Sequence, residues 1–207
     1  MNRRLTQRGQ ERRRQLMEFA AGRFAEQGYH PTSVAEIVQG LGVGKGVFYW
    51  YFSSKEELFL EILKEAQQDL RRTQRQAIDG IEDPVRRIER GIQASMRWSS
   101  EHPELYNLFA FAATEERFAP ALRKGQETAV ADAMRHVRAG MDAALIREGD
   151  PNLIAHAILG VTSHLARRFV HEEGRPWADV ADGAVAFCLE GLLVTAAVPA
   201  AVTAAPA

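Results

Sequence analysis

Residues 28–59 read GYHPTSVAEIVQGLGVGKGVFYWYFSSKEELF, and the fold is decided here. Ser33 followed three residues later by Glu36 is a capping box, so a helix starts at that point. Val34, Ile37 and Val38 give it an apolar face, and the pattern predicts a helix over about 33–39. Leu41-Gly42-Val43 then makes a tight turn. A third helix is predicted over about 45–52, in which Phe48 and Phe52 lie four apart and share a face. Ser54 with Glu57 repeats the capping box and opens a fourth helix carrying Leu58, Phe59, Ile62, Leu63, Ala66 and Leu70. Upstream, Leu16, Phe19, Ala20 and Phe24 form one stripe of a first helix predicted over about 10–27 and stopped by Gly28.

Three short helices, the second and third joined by a Gly-containing turn, make a helix-turn-helix. The major groove of B-DNA admits one helix, and the third must reach it with base-facing side chains. Phe48 and Phe52 should anchor that helix to Leu16, Phe24 and Ile37. Lys45, Val47 and Tyr49 then project elsewhere, with Trp50 near the edge of the anchored face. A lysine and an aromatic hydroxyl suit phosphates and base edges, and a valine suits a thymine methyl. Gly44 and Gly46 lower helix propensity but permit close backbone approach. Thr32 and Ser33 sit where free N–H groups at a helix start favour an anion. Plainer readings stand beside these. Tyr49 and Trp50 could be core aromatics, Lys55 a solvated first-turn lysine, and Arg12-Arg13-Arg14 a solvated face.

The charge distribution agrees with an anionic partner at one end only. Of the 207 residues, the first 55 hold nine Lys/Arg against four Glu, a net of +5. The remainder holds 17 basic and 23 acidic residues, a net of −6. Apolar residues make up 46%, enough for a buried core. A single cysteine, Cys188, excludes an internal disulfide framework and fits a reducing cytoplasm. No apolar run reaches the ~18 residues of a membrane span, and the leader MNRRLTQRGQERRR has no apolar segment behind it to make a signal peptide.

Beyond the fourth helix, which ends before Asp79-Gly80, no strand pattern or hairpin signal stands out. Asp83-Pro84 opens a fifth helix to about Ser100, Pro103 a sixth to about Thr114, and Pro120 a seventh that ends before Gly149. Asp150-Pro151 caps an eighth over about 151–173, and a ninth runs from about Trp177 to Val198. The expected fold is all-α with about nine helices. Residues 1–9 form a flexible basic leader, 10–56 the helix-turn-helix domain, 57–198 a helical effector-binding and dimerisation domain, and 199–207 a disordered tail.

The stretch 28–59 closely resembles the signature of the TetR family of transcriptional regulators. The likeness includes the aromatic pair after the turn, the Tyr-Phe that ends the third helix and the Ser-Lys-Glu-Glu-Leu that starts the fourth. It covers about residues 10–70, under a third of the chain. The resemblance implies that Thr32, Ser33 and Lys55 touch the DNA backbone, and that Gly44, Lys45, Gly46, Val47, Tyr49 and Trp50 face the major groove or its rims. Family members often carry Ser or Thr at position 44 and Thr at 47; here Gly44 and Val47 remove two possible hydroxyl contacts.

The resemblance further implies a homodimer whose last two helices pair with their symmetry mates. Two reading helices would then lie ~34–36 Å apart on a roughly palindromic operator in double-stranded DNA. Candidate interface residues are Ile158, Val161, Leu165, Ala184, Phe187, Cys188 and Gly191; the same stripes could instead pack within one subunit. A small, hydrophobic effector is implied, with Leu63, Trp98, Leu105, Phe109, Met134 and Met141 as candidate lining, unless these are plain core. Its binding would tilt the fourth helix and misplace the reading helices, lowering DNA affinity by linkage. Repression is the commoner family outcome. Activation, or regulation without a small molecule, remains open.

No cofactor, metal or catalytic residue is expected. The chain has no Gly-rich phosphate loop, no Cys-x-x-Cys and no Gly-x-Ser-x-Gly elbow. His156, His164 and His171 are eight and seven residues apart, over ~10 Å along a helix, too far for one metal.

Overall fold

The computed structural model of the chain describes residues 6–193. Nine helices run in order among these residues: α1 (Gln7–Gln27), α2 (Val34–Gly40), α3 (Lys45–Tyr51), α4 (Lys55–Ile78), α5 (Pro84–Glu101), α6 (Pro103–Thr114), α7 (Ala119–Asp142), α8 (Pro151–Leu165) and α9 (Trp177–Glu190). The only extended pairing among the described residues is an isolated antiparallel bridge between Ile146 and Leu193.

Two helix starts show their local cause directly. Thr6 caps α1, its hydroxyl accepting from the Gly9 N–H at 3.2 Å. The helix therefore starts three residues before the sequence reading put it, and residues 7–9 are helical instead of a flexible leader. Residues 1–5, the expected tail 199–207 and the expected end of the ninth helix at Val198 lie outside the described residues. Asp150 caps α8 through the Asn152 N–H, with Pro151 at the first helical position. That helix does not run regularly to Glu173. From Ala166 to Glu172 it loosens into a π-helix.

The chain divides into two compact units, residues 1–75 with 97–129 and residues 76–96 with 130–207. In the first, α1, α2, α3 and α6 close over Leu16, Phe24, Ile37, Phe48, Phe52 and Phe59, all buried. In the second, α8 and α9 pack around Ile88, Val137, Ile146, Ile158, Ala181 and Ala184.

Candidate nucleic-acid interface

The interface is built on a close helix contact. Ser33 caps α2 reciprocally: its hydroxyl accepts from the Glu36 N–H at 3.2 Å, and its own N–H donates to the Glu36 carboxylate at 2.6 Å. That backbone hydrogen bond, with the hydroxyl contact second, holds the Glu36 carboxyl below the usual range. At the other end of α2, the Phe19 ring lies where a Cβ on Gly40 would be, so a larger residue at position 40 would have to displace that ring. Gly42 then takes φ 64°, a left-handed turn, and the Val43 N–H closes back onto the Val38 carbonyl at 2.9 Å.

That turn sets the direction of α3. Phe48 and Phe52 are fully buried and pack 5.7 Å apart, ring centre to ring centre. Burying such a side chain contributes ~1.5–3 kcal/mol, so this face of α3 is fixed to the core. The opposite face looks outward. Tyr49 is 56% exposed and Trp50 54%. Gly44, Lys45 and Gly46 are exposed beside them, and Val47 is half-buried. A Cβ added at Gly44 or Gly46 would meet nothing within 4 Å. The fold therefore does not require glycine at either position. Of the residues assigned to DNA from sequence, Ser33, Gly44, Lys45, Gly46, Tyr49 and Trp50 are exposed and Val47 is half-buried.

Thr32 and Lys55 do not stand where the resemblance implied. Thr32 is fully buried, and its hydroxyl donates to the Gly28 carbonyl at 2.8 Å, where α1 has just ended. It has no surface to offer a phosphate. The Lys55 ammonium turns inward to the carbonyls of Tyr29 and Thr32, both at 2.8 Å, and of His30 at 3.3 Å. It also lies 4.3 Å from the centre of the Tyr29 ring. Burial draws its pKa below the ordinary lysine value, and the Arg117 guanidinium adds to this. At the start of α4, the Glu57 N–H donates to the Ser54 hydroxyl at 3.0 Å, as a capping box requires. The Glu57 carboxylate, however, reaches past Ser54 to Ser53, whose hydroxyl and N–H hold its pKa down.

Sequence reasoning missed the residue at the middle of this corner. Tyr29 is buried among Phe24, Phe59, Phe111 and Phe118, with ring centres 5.0–5.6 Å away. Its signal was an aromatic directly after Gly28, where a solvated turn would carry polar residues. The triple-arginine run also splits in function. Arg13 holds Glu61, at 2.7 Å, and Glu65 on α4, while its guanidinium lies 5.3 Å from the Phe52 ring. Arg14 pairs with Glu11 and Glu18 along α1.

Among the candidate effector residues, the first unit brings four together. Leu63 is part of its core, Leu105 and Phe109 pack against that core, and Trp98 stacks on Phe109 at 6.0 Å. The Trp98 indole donates to Asp69 on α4, a partner not foreseen. Met134 and Met141 are half-buried in the second unit. The candidate dimer residues differ in exposure. Ile158, Ala184 and Cys188 are buried within their own unit, because their stripes pack α8 against α9. Val161 and Leu165 are half-buried. Small or apolar residues exposed on or next to this pair of helices include Leu153 (67% exposed), Ala157, Gly160, Gly183, Phe187 (69%) and Gly191. Among the described residues, no helix is long and apolar enough to cross a membrane and no three metal-ligating side chains cluster.

An exposed α3 mounted on buried aromatics, following α2 and a tight glycine turn, has the geometry of a helix-turn-helix. A model of the bacterial regulatory proteins of the tetR family matches residues 16–62. The transcriptional repressor KstR2 of Mycobacterium tuberculosis is 35% identical over 91 residues, which cover 44% of this chain and 46% of that one. The transcriptional activator FasR of Mycolicibacterium smegmatis is 35% identical over 98 residues, 47% of this chain and 45% of that one. The match thus spans about half the length of these curated relatives. A tetR-family crystal structure from Shewanella sp. PV-4 superposes with a TM-score of 0.73 at 20% identity, covering 89% of this chain and 99% of that one, and so shares the fold. Over residues 16–62 the chain is therefore similar to the regulatory proteins of the tetR family, and it shares the fold of a solved tetR-family structure.

Proposed function

We propose that this chain is a repressor that binds a roughly palindromic operator as a homodimer and lets go when a small hydrophobic effector binds. The observation that carries the reading is the contrast within α3: Phe48 and Phe52 fully buried, Tyr49 and Trp50 more than half exposed. Aromatic side chains left in water lose the free energy of burial, and a partner surface recovers it. Ser33, Gly44, Lys45, Gly46, Val47, Tyr49 and Trp50 form the DNA face in this reading.

Two observations support the finer parts. Leu153 and Phe187 are large apolar side chains exposed on α8 and α9, with Ala157, Gly160 and Gly183 nearby in sequence to allow close helix approach. A second copy of the chain is the proposed cover. The bulky set Leu63, Trp98, Leu105 and Phe109 favours an apolar effector. A solved structure of KstR2 carries the description ketosteroid transcriptional regulator, which favours the same class of molecule.

The test is binding of duplexes selected from a random pool by the purified protein. Tyr49→Ala should weaken binding about tenfold or more, that is by ~1.4 kcal/mol, with an unchanged melting temperature. Wild-type protein that recovers no duplex at low salt would sink the proposal.

A further inference from the structure

The corner between α1 and α2 concentrates carbonyl groups. α1 ends at Gln27 and α2 starts at Val34, and between them the carbonyls of Tyr29, His30 and Thr32 converge on one point. Lys55 Nζ occupies that point. An ammonium has three N–H groups, and here all three are spent on carbonyls of the same chain. The charge lies over the Tyr29 ring as well. A phosphate oxygen could recruit this ammonium only by stripping a partner from one of those carbonyls.

The position of the contact in the chain matters more than its strength. Thr32 immediately precedes Ser33, the cap of α2, and Lys55 is the first residue of α4. Between them lie α2, the turn and α3. One side chain therefore joins the two ends of segment 33–54 and closes the helix-turn-helix into a ring. We propose that Lys55 is a positioning residue: it fixes how α3 is presented to DNA and does not itself contact phosphate. This rests on the reading of α3 as the DNA-facing helix.

The experiment uses the full chain and a duplex recovered by the wild-type protein. Affinity is measured against salt for wild type, Lys55→Met, Lys55→Arg and, as a control on the reading itself, Tyr49→Ala. Lys55→Met should weaken binding about tenfold or more and leave the slope of log Kd on log salt unchanged. Lys55→Arg should not restore it, because a planar guanidinium cannot seat a compact charge among three carbonyls. A phosphate ligand behaves oppositely: the slope falls by ~0.9 with methionine and arginine rescues. Either of those results, or wild-type affinity in Lys55→Met, overturns the proposal.

Nitrogen-15 spectra of the lysine ammonium groups give a second readout that needs no variant to fold. A protected Nζ signal from Lys55 is expected in the free protein, and its absence overturns the proposal too. If the wild type binds no duplex, the reading of α3 fails and takes the positioning role with it. That failure is distinct, because the Nζ signal would persist.

Discussion

The Trp98 indole N–H donates to the Asp69 carboxylate at 2.8 Å, and this bond ties α5 to α4 within the first unit. Trp98 is buried, while Asp69 is partly open to water and also meets Arg72. Trp98→Phe keeps most of the apolar volume and removes the donor. It should cost ~1–2 kcal/mol, the range for a partly solvated hydrogen bond to a charged group, or a melting shift of ~2–8 °C for a chain of this size. Chemical denaturation would measure it. A loss below ~0.5 kcal/mol would mean the bond contributes nothing.

Gly46 gives a prediction with two opposed signs. A Cβ there meets nothing in the free protein, and alanine is the better helix former. Gly46→Ala should therefore raise stability by ~0.5–1 kcal/mol. If the bare backbone exists to let DNA approach, the same change should weaken duplex binding. Calorimetry and anisotropy on one sample decide it. A variant more stable and equally tight would show that the glycine serves no contact.

Acid should loosen the helix-turn-helix. Glu36 and Glu57 both have carboxyl pKa values held below the ordinary value by the serines they cap. A depressed carboxyl stabilises the fold above its unfolded pKa of ~4.3, and that stability is lost as pH falls through the lower folded value. Thermal melts from neutral to acidic pH should show a drop that is shallower in Glu57→Gln, which is already less stable at neutral pH. Parallel curves for the two proteins would exclude Glu57 as a contributor.

The proposed dimer face can be broken without touching the core. Phe187→Asp and Leu153→Asp place a carboxylate at positions that are more than two-thirds open in the subunit. Each should leave helix content unchanged and convert dimers to monomers in sedimentation, with a large fall in operator affinity. Cys188→Ala, in contrast, removes a buried side chain from the subunit core and should lower stability by ~1 kcal/mol while leaving assembly alone. Dimers that survive both aspartates would place the interface elsewhere.

How far the sequence could be read depends on whether a signal was local. The capping box at Ser33, the turn at Gly42 and the Phe48/Phe52 spacing each act within a few residues, and the structure has all three where expected. The inward turn of Lys55 was not legible because its partners lie 23–26 residues away, and no periodicity encodes where an ammonium will turn. Thr32 looked like a surface cap beside Ser33, but its hydroxyl was needed inside to meet the Gly28 carbonyl. On α8 and α9 the apolar stripes were visible. Which of them packs internally and which looks outward is set by the crossing of the two helices, and a single sequence does not carry that.

The loosened turn at Ala166–Glu172 has a consequence for the length of the chain there. A π turn holds one residue more than the helix needs to keep its course. Removing a single amino acid from this window should let the backbone tighten to ordinary winding while the flanking segments keep their facing. The same deletion between Pro151 and Leu165 has no slack to draw on, and would rotate everything downstream by ~100°. Among the described residues, the segment just before α9 is a place where the register of contacts can absorb a lost residue.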